Sequence, residues 1–190
     1  MLQQAMELVV PSLNRLDQCA AALRRGGYFP DNSRGEVSAH DELAKIEADP
    51  QAFIAALDDR EAKGPLVTLP DGSKVSRLPG YQRWMWDGEF CGRIGFRWQR
   101  GTPELPVYTL GHIGYTVVPW KRGRGYATRA LTLLLPEVRK EGLPYVELTT
   151  DTDNLPSQKV ITANGGTLVE RFTKTERHGG GEALRWRIVL

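Results

Sequence analysis

The chain has 190 residues with 25 basic and 23 acidic side chains, and its formal charge of +2 calls for no nucleic-acid or membrane partner. That length suits one domain with an adequate core and leaves little for a second independent one. Two cysteines exclude a disulfide framework and point to a reducing, cytoplasmic setting, and no run approaches the ~18 apolar residues of a membrane span.

No basic stretch leading into an apolar run stands near Met1, so no leader is expected. Met6 to Val10 reads as a short strand. Pro11-Ser12 then supply a stop and an N-cap for a helix to Arg24 or Arg25, with Leu13, Leu16, Ala20 and Leu23 on one side and Gly26-Gly27 at its end. Pro30, Asp31, Asn32, Ser33 and Gly35 make residues 28–38 a loop. From His40 to Lys63 two helical patterns are divided at Asp49-Pro50. Residues 64–80 are rich in Gly and Pro, and Pro70-Asp71-Gly72-Ser73 is a turn signal, so a hairpin and a plain loop stand as alternatives. Trp84-Met85-Trp86 and Phe90 to Trp98 flank Asp87-Gly88-Glu89 in the pattern of a β-hairpin. Trp84, Trp86, Phe96 and Trp98, spaced two apart, fit a packed sheet face better than a stacking platform for bases.

Residues 101–106 form a turn-rich connection, and Tyr108 to Val118 is expected as a strand. Gly125 to Lys140 is expected as a helix whose Ala127, Ala130, Leu131, Leu134, Leu135 and Val138 make one buried stripe. Pro136 predicts a kink or early end between Thr132 and Pro136. Tyr145 to Thr150 reads as a strand and Pro156 to Ala163 as a short helix. Thr167 to Lys174 and Ala183 to Val189 form an antiparallel pair joined through Gly179-Gly180-Gly181. The three histidines and two cysteines stand at unrelated spacings, so no metal site is expected.

The segment Val117-Val118-Pro119-Trp120-Lys121-Arg122-Gly123-Arg124-Gly125-Tyr126-Ala127 is the most informative: a strand runs into a glycine-rich turn and then a helix. Glycines two apart let successive N–H groups converge, and the helix adds unpaired N–H groups and its positive dipole end. Lys121, Arg122, Arg124 and Arg129 surround the turn, with no acid between Pro119 and Pro136. The favoured guest is a phosphate or pyrophosphate. A dinucleotide fingerprint needs a third glycine near Thr128 and a P-loop needs Gly-Lys-Ser/Thr, and neither is present.

What is present, Arg122-x-x-Gly125-x-Ala127, resembles the R/Q-x-x-G-x-G/A signature of the GNAT N-acetyltransferases. Upstream, Gly111 to Pro119 looks like the family's fourth strand; downstream, Asn154-x-x-Ser157 and Asn164-Gly165-Gly166 look like its Asn-x-x-Ser…Gly-Gly segment. The pieces around Gly92-Arg93-Ile94-Gly95, Gly111 to Tyr115 and Gly125 to Thr128 look most like a bacterial branch of the family whose acceptor is unassigned. The resemblance covers roughly residues 75–190. It implies a single α+β domain, with a mixed, mostly antiparallel sheet splayed at its middle and helices on both faces. Residues 1–74 would then be the N-terminal strand and acceptor-side helices, and residues 75–190 the cofactor-binding core.

By the same resemblance the carrier is acetyl-coenzyme A. Its pyrophosphate would take the loop Arg122, Gly123, Arg124, Gly125, Tyr126, Ala127 and Thr128, and Val117 and Val118 would offer backbone groups nearest the thioester. Asn154 and Ser157 match positions that touch the pantetheine and phosphate portions, and Lys159 would meet the adenosine-side phosphate; Asn154 also fits a plain helix N-cap. The reaction would be direct acetyl transfer to a small-molecule or peptide amine, without metal, and a homodimer is left open. For the base, His112 has a suitable ordinary pKa of about 6.5, with an imidazole that pins a sheet end as its alternative role. Tyr115 and Glu104 are fallback bases. Ile161 stands where many relatives carry a tyrosine that protonates the departing thiolate, which keeps open a second reading, a coenzyme A-binding module with little catalysis.

Overall fold

The computed structural model describes residues 5–69 and 71–190; Pro70 of the expected turn lies outside them. In chain order the elements are β1 (Glu7–Val9), α1 (Leu13–Arg25), α2 (Glu36–Ala48), α3 (Pro50–Ala55), β2 (Asp58–Asp59), β3 (Val67–Thr68), β4 (Lys74–Val75), β5 (Gly80–Trp86), β6 (Phe90–Arg97), β7 (Ile113–Val117), α4 (Tyr126–Val138), β8 (Tyr145–Asp151), α5 (Leu155–Ala163), β9 (Thr167–Thr173) and β10 (Glu182–Val189). One sheet has the order β1-β5-β6-β7, with β2 also on β5; a second has the order β8-β10-β9; β3 and β4 form a small hairpin. The ladders β1/β5, β8/β10, β9/β10 and β3/β4 are all antiparallel. The residues gather in two compact units, one of 1–58, 82–95 and 115–134, the other of 59–81, 96–114 and 135–190.

In the first unit α1 buries Leu16, Cys19, Ala20 and Leu23, an i, i+3, i+4, i+7 stripe, against a core that includes Tyr28, Ile46, Phe53, Trp84, Trp86, Phe90 and Val118. Ser12 occupies the N-cap position without capping; its hydroxyl donates to Asn14 instead, at 2.5 Å. Helix α2 begins at Glu36, inside the segment expected as a loop, because Asp31 and Ser38 tie the preceding turn together: the Asp31 carboxylate takes the Ser33 N–H at 2.9 Å and Ser38 Oγ donates to the Gly35 carbonyl at 2.6 Å. Asp49 caps α3, accepting from the Ala52 N–H at 2.9 Å with Pro50 in the first turn, so the expected break falls where the dipeptide set it. Beyond Ala55 the second helical pattern does not continue to Lys63, and the chain turns into β2.

Of the two alternatives for residues 64–80 the hairpin forms: Leu69 and Ser73 pair, and the Asp71 carboxylate takes the Ser73 N–H at 2.9 Å. Trp84 and Phe90 meet edge to face at 5.6 Å, and in the second unit Phe96 and Trp98 stack at 5.0 Å. All are buried, so these aromatics are packed sheet faces and offer nothing to a base. The strand expected from Tyr108 shrinks to β7, since residues 109–112 are held by single bonds: Thr109 N–H to the Pro106 carbonyl, Thr149 Oγ1 to the Leu110 carbonyl and His112 N–H to the Glu147 carbonyl.

Helix α4 runs through Pro136 to Val138, followed by a 3₁₀ turn over Arg139–Glu141, so of the two expectations the early ending does not occur. Proline removes one hydrogen bond, to the Thr132 carbonyl, on an exposed side, while Leu131, Leu134, Leu135 and Val138 anchor the buried stripe. In the second unit β10 pairs Trp186 with Leu148 on β8, and the Trp186 indole donates to Thr150 Oγ1 at 3.0 Å. Among the described residues no helix is long and apolar enough to cross a membrane.

Candidate functional site

Gly123 and Gly125 adopt φ of +75° and +74°, the left-handed region that a β-carbon penalises, and a β-carbon built at either meets no protein atom within 4 Å. The turn is therefore shaped by glycine while its outer face stays open. Helix α4 follows directly: the Gly125 carbonyl accepts the Arg129 N–H at 3.0 Å, and the amides of the first turn have no acceptor within the helix. An oxyanion set against this concavity would meet convergent N–H groups and the positive end of the dipole.

The four cations expected around the turn divide in two. Arg122 and Arg124 are exposed, Arg122 Nε donating to the Val117 carbonyl at 3.1 Å. Lys121 is buried and paired with Asp87 and Glu89, and Arg129, though exposed, donates its Nε to the Met6 carbonyl at 2.5 Å, away from the loop. The Val118 N–H is also taken, by the Cys91 carbonyl at 3.0 Å. That corrects the expectation for the Val118 N–H, which is spent inside the sheet, while at Val117 the carbonyl turns to the Arg122 side chain. Tyr126 presents its backbone to the loop while its hydroxyl reaches Asp87 and lies beside Arg124.

In the second unit the Asn154 side-chain Oδ1 accepts the Ser157 N–H at 3.1 Å and so caps α5, the structural role weighed for it from sequence; Lys159, two residues on, is exposed. Asn154, Ser157 and Lys159 thus sit together on the first turns of one helix. His112 and Glu104 belong to this unit, whereas Tyr115 and the glycine loop belong to the first.

His112 is 1% exposed and both ring nitrogens are engaged. Nδ1 accepts the Glu147 N–H at 3.0 Å, which leaves the proton on Nε2, where it is donated to the Pro103 carbonyl at 3.1 Å. Burial pushes the ring's pKa below its ordinary value, and the Glu147 carboxylate only partly offsets this. A neutral imidazole with its lone pair occupied cannot take a proton from an amine without breaking that bond, so the geometry fits the pinning role and not the base. Glu104 is exposed and accepts the Thr102 hydroxyl.

Ile161 is 1% exposed, and a β-carbon on Gly166 would lie 2.3 Å from its Cγ2, so this side chain is packed into the second unit. Tyr or Phe at this position must displace backbone around Gly166. Ile161→Tyr and Ile161→Phe are each expected to lower stability by about 1 to 3 kcal/mol, read by denaturant unfolding; a wild-type midpoint for the tyrosine variant would show a cavity that the packing denies. Burial pushes the thiols of Cys19 and Cys91 up to about 12, which removes both as nucleophiles. Among the described residues no group of three or more His, Cys, Asp or Glu is arranged to hold a metal ion.

The residue that sequence reasoning missed is Asp87. It reads as an ordinary Asp-Gly turn, yet its carboxylate contacts residues 34 and 39 positions away. No local pattern signals that.

The family model of the GNAT acetyltransferase domain matches residues 37–167, which takes in α2 and α3 as well as the loop. No curated protein sequence matches the chain. Among solved structures it is similar to the microcin C7 self-immunity acetyltransferase MccE, solved with acetyl-CoA and AMP, at 14% identity and a TM-score of 0.64 over 100% of this chain and 94% of that one. It is similar also to a GNAT-family acetyltransferase from Bacillus anthracis, at 15% identity and a TM-score of 0.63 over 98% and 96% of the two chains. A ribosomal L7/L12 α-N-protein acetyltransferase solved with coenzyme A matches at 11% identity and a TM-score of 0.61 over 100% and 95%. At these identities the likeness is one of fold.

Proposed function

Because the chain belongs to the GNAT acetyltransferase family, we propose that it transfers an acetyl group directly from acetyl-coenzyme A to an amine, with the Arg122–Thr128 loop holding the carrier's pyrophosphate. The observation that carries this reading is the open, left-handed pair Gly123 and Gly125 at the start of α4, flanked by two exposed arginines. The carrier supplies the activated acetyl thioester. The chain binds and orients it: loop amides and Arg122 and Arg124 on phosphate oxygens, and the Val117 N–H toward the thioester carbonyl. With His112 occupied, the proton from the amine goes to Tyr115, Glu104 or water. The two free, buried cysteines support a reducing, cytoplasmic setting.

The acceptor is open among polyamines, aminoglycosides, amino acids, peptide α-amines and protein lysines; one similar structure is named for action on a ribosomal protein's α-amine, which puts peptide termini in the panel. Amine-dependent release of free thiol from acetyl-coenzyme A, measured across that panel, tests the reading. Carrier binding with no turnover on any amine would support the second one, a coenzyme A-binding module, which the packed Ile161 favours by leaving no side chain in the usual acid's place.

Arg122→Ala and Arg124→Ala are each expected to weaken carrier binding by about 1 to 3 kcal/mol if they meet phosphate, and by almost nothing if they are solvated. Calorimetry at two ionic strengths separates these. Affinity falls with salt in the wild type and less steeply in either variant; parallel slopes would exclude direct contact.

A further inference from the structure

The carboxylate of Asp87 lies at the tip of the β5–β6 hairpin with its side chain 4% exposed. Oδ1 receives the Lys121 ammonium at 2.5 Å, and Oδ2 receives the Tyr126 hydroxyl at 2.6 Å. Lys121, itself 8% exposed at the side chain, also meets Glu89 at 3.0 Å. Positions 121 and 126 are the residues immediately before and after Arg122-Gly123-Arg124-Gly125. One buried carboxylate therefore grips both ends of the glycine loop, and through Tyr126 it reaches Arg124.

We propose that Asp87 is a positioning residue for the acetyl carrier: it clamps the loop from both sides and sets its amides and Arg124 in the phosphate-binding shape before the carrier arrives. This rests on the assignment of the loop to the pyrophosphate. An exposed loop with two left-handed glycines has much backbone freedom to lose, and a ligand that must order it binds correspondingly weakly. A single anchor fixes one end and leaves the rest to swing. Asp87 supplies two, in a water-poor setting where a charged hydrogen bond resists exchange with solvent. Burial opposes ionisation of Asp87, but the bonds from Lys121, Tyr126 and Cys91 outweigh it and hold the carboxyl down at about 2, so the clamp is closed across the whole neutral range. The pairing also leaves Lys121 to cancel the Asp87 charge, so no bare carboxylate faces an incoming phosphate.

The test is calorimetric titration with coenzyme A, which needs no acceptor. Asp87→Asn keeps the shape and the acceptor for Tyr126 but leaves the buried ammonium of Lys121 only the exposed Glu89 as a counter-charge, so the double variant Asp87→Asn/Lys121→Met, which removes that ammonium, guards against loss of folding. The expected result is at least about tenfold weaker coenzyme A binding in the double variant with a near-wild-type unfolding midpoint, and a few-fold weakening in Tyr126→Phe. A residue that only stabilises the hairpin would leave the cost of Arg124→Ala the same in both backgrounds. The clamp predicts that Arg124→Ala costs much less once Asp87 and Lys121 are gone. Full affinity in a folded double variant, or strictly additive losses, would overturn the proposal. If Arg122→Ala and Arg124→Ala cost nothing in the wild-type background, the loop assignment itself fails and the clamp with it.

Discussion

Gly125→Glu is expected to abolish acetyl-coenzyme A binding while leaving a folded protein. The φ of +74° costs any β-carbon about 1 kcal/mol of backbone strain, but a built β-carbon touches no protein atom within 4 Å, so the core is spared. What the new side chain does reach is the space over the loop amides, where its carboxylate competes for the same N–H groups and repels phosphate. A loss of about 100-fold or more is expected by calorimetry, with an unchanged circular dichroism spectrum. Gly125→Ala separates the two effects, because it carries the strain without the charge and should lose far less. Unchanged affinity in the glutamate variant would remove the loop from the binding site.

His112→Ala is expected to destabilise the protein by about 2 to 4 kcal/mol, combining an internal cavity with two stranded partners, the Glu147 N–H and the Pro103 carbonyl. Carrier affinity measured on the folded fraction should stay close to wild type. The pH dependence has a definite sign. The folded pKa lies below the ordinary 6.5, so the unfolded chain binds the proton more readily, and stability present above about 6.5 is lost as pH falls toward the folded value. Urea unfolding at a series of pH values should show this acid slope in the wild type and lose part of it in His112→Gln, whose side chain can still accept from Glu147. If His112→Ala keeps its stability and instead abolishes a turnover limb near pH 6 to 7, the imidazole is a base after all.

The loop was legible from sequence because everything that shapes it is local: glycines two apart, a helix start, arginines between them. The helices α1, α3 and α5 were legible for the same reason, from periodic apolar positions and from Asp49-Pro50 and Asn154-x-Pro156 at their starts. What failed depends on contacts between distant residues. Whether Lys121 is offered to phosphate or buried against Asp87 depends on a hairpin tip 34 residues earlier. The lone pair of His112 is taken by the Glu147 N–H, 35 residues later. The packing of Ile161 against Gly166 was hidden for another reason: a motif position carries no information about which face of α5 is buried. Pro136 shows the opposite balance: the early ending that a local helix breaker allows does not occur, because the buried stripe carries α4 on to Val138.

The most direct test of the account is a titration of the purified chain with acetyl-coenzyme A and, separately, with ATP. The account predicts saturable single-site binding of acetyl-coenzyme A that weakens as salt rises, and binding of ATP at least about tenfold weaker, because the chain lacks a P-loop lysine motif. No saturable heat with acetyl-coenzyme A, or tighter binding of ATP, would contradict it.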